Sequence, residues 1–319
     1  LLSWFSPVIS NSSAILFLLH PAVWYYSARG LMHNVLFVCL LMFAVYASVC
    51  RPLLHHVQTC PNRYGHLRPF QEHLDDWIAG LCIGFALMVR TSEVYWIGGL
   101  MALIGLVSLQ KHWKRVLRVF VAVCVGILPF FLINTLTYGH PFVTGYTVTS
   151  SSQIVETVAD LFEAPTQLVF PFGIDVHAAW KHIVQYGLFL CWWMSALAFL
   201  GFFLVSAKKR WYAALFLFVA GWLGIWYGSW TLNDNPDPFQ VTIANSYVRY
   251  WLPVFVLTIP FVAEGIMWIV HRARSVFAQR VLFATLLVLV IGFNVRLVFF
   301  EGQDALSRVA DTLADARQT

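Results

Sequence analysis

Arg29, Arg90, Lys181 and Arg249 are the side chains of this sequence best placed for chemistry, because each stands at the end of an apolar run. Arg29 lies in HPAVWYYSARGLMHN and Arg90 closes GFALMVRTSE. Lys181 precedes an apolar stretch, and Arg249 opens NSYVRYWLP. A guanidinium offers a planar fork of donors that matches phosphate oxygens, so arginines at a bilayer edge suit a lipid phosphate or pyrophosphate. The competing reading is contact with headgroups, which accounts for most arginines at the ends of membrane helices. Both apply to Arg90, which has Glu93 beside it in a short hairpin.

A general base or a metal ligand would come from a carboxylate. The acids give no pair of diagnostic spacing. Asp234 and Asp237, in TLNDNPDPF, read as turn formers, and Glu156, Asp160 and Glu163 fall at helical spacing on a solvated face. His55, His56 and His66 with Cys50 and Cys60 match no usual zinc spacing. No phosphate-cradling glycine loop and no G-x-S-x-G occurs. The cofactor is left open: a divalent metal is compatible with the chemistry, and no ligand set specifies one.

The elements that must position these groups follow from composition. Of 319 residues 60% are hydrophobic and 11% charged, more apolar surface than a soluble fold of this length hides. Apolar runs of about 17 to 25 residues fit a bilayer core, and in lipid they must be helices. The expected fold is an all-α polytopic membrane protein with nine spans, about 8–27, 31–50, 75–91, 93–110, 116–138, 184–207, 211–230, 251–270 and 281–299. Of the 20 lysines and arginines, 13 fall in one set of connections, including Lys111–Arg115, Lys208–Arg210 and Arg272–Arg280. By the positive-inside rule that side is cytoplasmic. The longer segments 139–183 and 231–250 are then external, as is the tail 301–319 beyond a transmembrane domain of 1–300. Leu306, Val309 and Leu313 in that tail have helical spacing and predict a short surface helix, or the start of a domain cut off here. The chain opens on Leu1 inside an apolar run, which reads as a fragment lacking its N-terminal part. None of the six cysteines lies on the external face, so no disulfide framework is expected. Glu264 and Arg296 lie at depth on opposite halves, and a structural or snorkelled role is expected for each.

Four stretches, HPAVWYYSARGLMHNVLF, GLCIGFALMVRTSEVYWIGGL, LPFFLINTLTYGHPFVTGY and SYVRYWLPVFVLTIP, together resemble the GT-C superfamily of polyprenyl-phosphate-sugar-dependent glycosyltransferases. The likeness is to its protein mannosyltransferase and aminoarabinose transferase branch, over about 29 to 260. It implies an integral protein of a bacterial inner or plasma membrane with an external active site. The implied partners are a polyprenyl-phosphate-sugar donor, membrane lipid and a glycan, lipid or protein acceptor; nucleic acid is not among them. A carboxylate would activate the acceptor while basic residues hold the departing phosphate. By the resemblance Arg29, Arg90 and Arg249 match family arginines, and Tyr146 matches the tyrosine closing a Gly-Tyr turn. Lys181 joins them as a donor-binding cation.

Two departures accompany the resemblance. The family's main catalytic aspartate is expected upstream of residue 1. Where relatives carry a second acid after the Arg29 position, this chain has His33-Asn34, and Asn cannot act as a base, which leaves Glu93 as a candidate. Two rivals stand beside the transferase: a transporter or flippase of a lipid-linked substrate, which would need charged or broken helices near the midplane and often a repeat, of which the sequence has none, and a non-catalytic relative. The transferase reading expects Arg90→Ala or Arg249→Ala to abolish transfer without unfolding the protein.

Overall fold

The computed structural model describes residues 5–29, 33–50, 68–143, 173–206, 209–232 and 240–316. Among them the backbone is helical, with no strand, as a chain whose backbone groups cannot reach water must be. Six helical stretches are long and apolar enough to cross a membrane: Pro7–Ala28, Thr91–Ser108, His112–Tyr138, Arg210–Gly228, Leu252–His271 and Val276–Phe300. A seventh is obtained if Val176–Phe189 and Trp192–Phe203, bent by 94° at their junction, count as one span. The chain is therefore an all-α polytopic membrane protein, and six or seven such helices occur among the described residues, where nine were expected for the whole sequence.

The shortfall has physical causes. The stretch read as 31–50 holds an apolar helix only over His33–Ser48, short of the ~20 residues a bilayer core needs. The stretch read as 75–91 belongs to a longer helix, Arg68–Val89, which carries Asp75 and Asp76 within its length. The chain forms two units, Leu1–Val35 with Ile174–Thr319, and Leu36–Gly173.

In the unit Leu36–Gly173, most of α3 (His33–Val45) leads into a π-helical turn, Tyr46–Cys50. α4 (Arg68–Val89) ends at Arg90, and the single turn Thr91–Glu93 starts α5 (Val94–Tyr138). α5 leaves helical geometry at His112, where φ is −136° and ψ 32°. A methyl added at Gly105 would lie 3.6 Å from Cγ1 of Val116. In a straight helix residues this far apart are separated by about 16 Å, so α5 folds back on itself at His112 into two arms.

The second arm runs parallel to α4 in a fixed register. Asp76 meets Arg115 and Arg118, Gly80 meets Val119 and Ala122, and Gly84 meets Val123 and Gly126. The small residues at Gly80, Gly84, Ala122 and Gly126 let the backbones touch, which is how helices pack where lipid removes the hydrophobic drive. At the start of this register the buried Asp76 carboxylate accepts from Arg115 Nε at 2.7 Å and from Arg118 Nη2 at 2.7 Å. Arg115 Nη2 also donates to the Ser48 carbonyl at 2.6 Å. The π turn at Ser48 thus finds a partner for a carbonyl.

The other unit begins with α1 (Pro7–Leu18) and α2 (Pro21–Ala28). Proline opens each helix where its missing N–H costs nothing, and the Ser6 hydroxyl and His20 imidazole cap them. α6 (Val176–His182) passes through a π turn, Ile183–Phe189, before the sharp bend to α7 (Trp192–Phe203). α8 (Arg210–Gly228), α9 (Ser246–Tyr250), α10 (Leu252–His271), α11 (Val276–Val295) and α12 (Leu306–Ala316) follow. The predicted tail helix is α12.

α7 and α10 touch at glycines: a methyl at Gly201 would sit 1.9 Å from the Phe261 carbonyl oxygen, and one at Gly265 would sit 2.2 Å from that of Leu197. α8 lies antiparallel to α10, with the Tyr212 hydroxyl donating to the Leu257 carbonyl at 2.8 Å and the Trp251 indole to that of Leu223 at 2.9 Å. Glu264 and Arg296 have separate partners. Both Glu264 oxygens accept from Lys209 Nζ, at 2.7 and 2.8 Å. Arg296 lies 3.4 Å from Glu301, with both side chains more than half exposed.

Candidate functional site

Three of the five predicted cation and tyrosine positions ride on short helices of one unit. Arg29 is the C-cap of α2, Lys181 lies in the last turn of α6, and Arg249 lies in the last turn of α9. These helices are joined to one another by hydrogen bonds, buried between α2 and α9 and part-buried between α6 and α9, and α9 is the hub. The Tyr26 hydroxyl of α2 is 2.9 Å from the carbonyls of both Ile243 and Asn245, immediately before α9. Asn245 caps α9 through its side chain, accepting from Tyr247 N at 3.0 Å, a local signature that an Asn before a short helix provides.

α6 is tied to α9 through His182 and Tyr247. Their rings stack with centroids 4.3 Å apart, and Nε2 lies 3.3 Å from the phenol oxygen. His182 Nδ1 is 2.8 Å from the Gly228 carbonyl. A carbonyl only accepts, so Nδ1 carries a proton and Nε2 is the acceptor of the neutral ring. The Tyr247 hydroxyl shares its single proton between Nε2 and the Trp230 carbonyl, and its oxygen accepts from Leu232 N at 3.3 Å. Tyr247 is therefore a buried fastener joining α6, the end of α8 and α9.

The cations themselves differ in setting. Arg29 is exposed, and its Nη1 donates to the Tyr25 hydroxyl at 2.8 Å. That hydroxyl donates onward to the Asp304 carbonyl at 3.1 Å, while the Asp304 carboxylate accepts from Thr242 at 3.2 Å. Arg249 is half-buried beside Tyr250, its guanidinium 5.0 Å from the ring centroid. Tyr250 in turn stacks on Tyr227 at 4.5 Å. Lys181 is exposed. One end of this unit thus presents three cations on helices locked together, framed by aromatic rings, a setting in which a phosphate group gains charge and donors at once.

Arg90 and Glu93 belong to the other unit and are closed on each other. Arg90 Nη2 lies 2.6 Å from Glu93 Oε1, with side-chain exposures of 3% and 1%. The remaining Glu93 oxygen accepts from the Trp96 indole, and Arg90 also lies over the Phe37 ring at 5.5 Å. Glu93 thus has both oxygens engaged, so it is held as a counter-charge. Asn34, at the position where an acid was expected, is buried, and neither end of its carboxamide has a hydrogen-bond partner among the described residues. Tyr146 lies outside the described residues, as do His55, His56, Cys60 and His66.

Sequence reasoning singled out Arg29, Lys181 and Arg249 from their place at the ends of apolar runs, and the structure carries the three on helices of one unit. It missed Tyr26, His182 and Tyr247, which bring the three carriers together. Tyrosines at span ends read as an aromatic belt, and nothing in their spacing reveals a carbonyl partner more than 200 residues away. The helices define a polytopic membrane protein, one unit of which carries Arg29, Lys181 and Arg249 on helices fastened to one another. Compared with known protein families, curated proteins and solved structures, the chain matches none.

Proposed function

We propose that this chain is a membrane glycosyltransferase of GT-C type, moving a sugar from a polyprenyl-phosphate carrier to an acceptor at the external face of a bacterial inner membrane. The observation that carries the proposal is the fastening of α2, α6 and α9 by Tyr26, His182 and Tyr247, which brings the carriers of Arg29, Lys181 and Arg249 to one end of a unit. In the proposed reaction the acceptor hydroxyl or amine loses its proton to a base and bonds to the anomeric carbon. The bond from that carbon to the phosphate oxygen breaks with its electron pair, and polyprenyl phosphate leaves with one more negative charge. Cations fixed in advance lower the barrier because that charge develops in the transition state. The aromatic rings around Arg249 suit the apolar carrier beside its phosphate.

The test uses the full chain in liposomes with a radiolabelled polyprenyl-phosphate sugar and extracted membrane acceptors. Label is expected on an acceptor, and transfer is expected to fall by at least about tenfold in Arg249→Ala, as when a donor to developing charge is lost. Unchanged transfer in both Arg29→Ala and Arg249→Ala would overturn the phosphate assignment.

One observation favours a second reading, a transporter or flippase of a lipid-linked substrate. Two helices are broken, at Leu19–His20 and at Leu190–Cys191, and the buried Asn294 carboxamide bridges the regions of both. It donates to the Leu19 carbonyl and accepts from the Trp193 indole, each at 2.9 Å. Discontinuous helices within a membrane recur at transport sites. Label that crosses the bilayer still on its carrier, with none reaching an acceptor, would decide for this reading.

A further inference from the structure

The same unit carries a second cationic feature at the opposite ends of its long helices. Arg210 begins α8, Arg272 and Arg274 lie in the joint after α10, and Arg280 lies in the second turn of α11. All four are exposed. They share one end of the unit because α8 is fixed to α10 by the Lys209–Glu264 pair, while the joint is fixed to α11 by Gln279, which donates to the Ala273 carbonyl at 3.1 Å. Lys209 occupies Glu264. The other described acids of the unit, Asp175, Glu301, Asp304, Asp311 and Asp315, lie beyond the far ends of α8 and α11. Four guanidinium charges therefore stand together without an acid partner among the described residues.

Their surroundings mark this end as a membrane boundary. Trp211 is 82% exposed and Phe277 is 77% exposed, next to Arg210 and close to Arg274 and Arg280 in the chain. Arg272 lies over the face of Trp268 with its guanidinium 4.2 Å from the ring centroid, which holds the charge at the depth of an amphipathic ring. Tryptophan sits at headgroup level in bilayers, and basic residues there attract anionic lipid. An apolar ring in the acyl boundary beside a guanidinium in the headgroup layer fits a molecule that is itself apolar below and anionic above.

We propose that this rim binds the headgroups of anionic phospholipids, with Arg272 on Trp268 as its fixed point and Arg210, Arg274 and Arg280 completing the charge. The proposal is independent of the transferase reading, which concerns the other end of the unit. The experiment supplies the purified full chain in detergent with equal amounts of phosphatidylglycerol and phosphatidylcholine, then quantifies the lipid retained by mass spectrometry. Retention is expected to favour phosphatidylglycerol by about tenfold at low salt, and to weaken as salt rises.

Replacing all four arginines by glutamine should bring the ratio close to one. Replacing all four by lysine, which keeps charge, should preserve most of the preference and shows that the fold survives changes at these positions. Each single glutamine variant should lower the ratio partway, so the test does not depend on the fourfold variant folding. A ratio near one for the natural chain, or a preference unaltered by the glutamine variants, would overturn the proposal. So would displacement of the lipid by inorganic phosphate beyond the effect of chloride at equal ionic strength, because that would mark a site for free anions.

Discussion

Arg90 and Glu93 form a closed pair three residues apart, 2.6 Å from nitrogen to oxygen and almost wholly removed from solvent. Removing one member of a buried pair leaves the other uncompensated, at about 3–5 kcal/mol, whereas removing both is far milder. Arg90→Ala is therefore expected to destabilise the protein, which departs from the expectation that its loss would leave the fold untouched. Thermal unfolding in detergent should show Arg90→Leu and Glu93→Leu each well below the natural chain. The double Leu variant should lie nearer to it than either single change. Additive losses in the double variant would show that the pair has no special coupling.

The register between α4 and the second arm of α5 depends on glycine. A methyl at Gly84 would come within 2.5 Å of the Val123 carbonyl oxygen and 2.8 Å of the Gly126 Cα, both backbone atoms that cannot swing aside. Gly84→Ala is expected to cost about 1–3 kcal/mol as overpacking. Gly98 has nothing within 4 Å of such a methyl, so Gly98→Ala should be neutral or slightly stabilising, by up to about 1 kcal/mol through helix propensity. Paired unfolding curves separate the two. Equal effects at both positions would contradict the close approach.

Much of the helical frame was legible because lipid leaves a chain so few options. Apolar length marked helices, and the basic Lys111–Arg115 joint marked the place where α5 turns back at His112. Legibility failed where an outcome depends on what meets a side chain across the fold. A structural role could be assigned to Glu264, but its partner could not, because Lys209 lies 55 residues away. Asp75 and Asp76 looked like the start of a span, yet Asp76 is the buried acceptor for two arginines of another helix. The cations of the candidate site were visible as residue types at run ends. The tyrosines that fasten their helices were not, since a tyrosine at a span end has the same local sequence whether it faces headgroups or a buried carbonyl.

Asn294 holds two helix interruptions together. Its amide nitrogen satisfies the Leu19 carbonyl, freed where α1 ends, and its oxygen satisfies the Trp193 indole at the start of α7. Asn294→Leu keeps bulk and leaves both groups without their partner, so a loss of about 1–3 kcal/mol for each buried group is the upper expectation. Polar contacts in membranes measure closer to about 0.6–2 kcal/mol. Asn294→Ala should show the same loss plus a cavity. If Asn294→Leu unfolds like the natural chain, the bridge has no stabilising role.

The Tyr26 hydroxyl offers the sharpest test of how the candidate site is assembled. It is buried, and lies 2.9 Å from the two carbonyls that lead into α9. Tyr26→Phe keeps the ring and deletes only that fastening, at about 1 kcal/mol of stability. Tyr26 carries no charge, so a change in anion affinity in this variant has to pass through the placement of Arg29 on α2 relative to Arg249 on α9. Binding of polyprenyl phosphate, measured by displacement of a fluorescent analogue, is expected to weaken by about fivefold, in line with that 1 kcal/mol. Arg249→Ala should weaken it further, and the two changes combined should cost less than their product because both act on one site. A Tyr26→Phe variant that binds polyprenyl phosphate like the natural chain would mean that Arg29 and Arg249 need no common frame, and the shared phosphate site would fall with it.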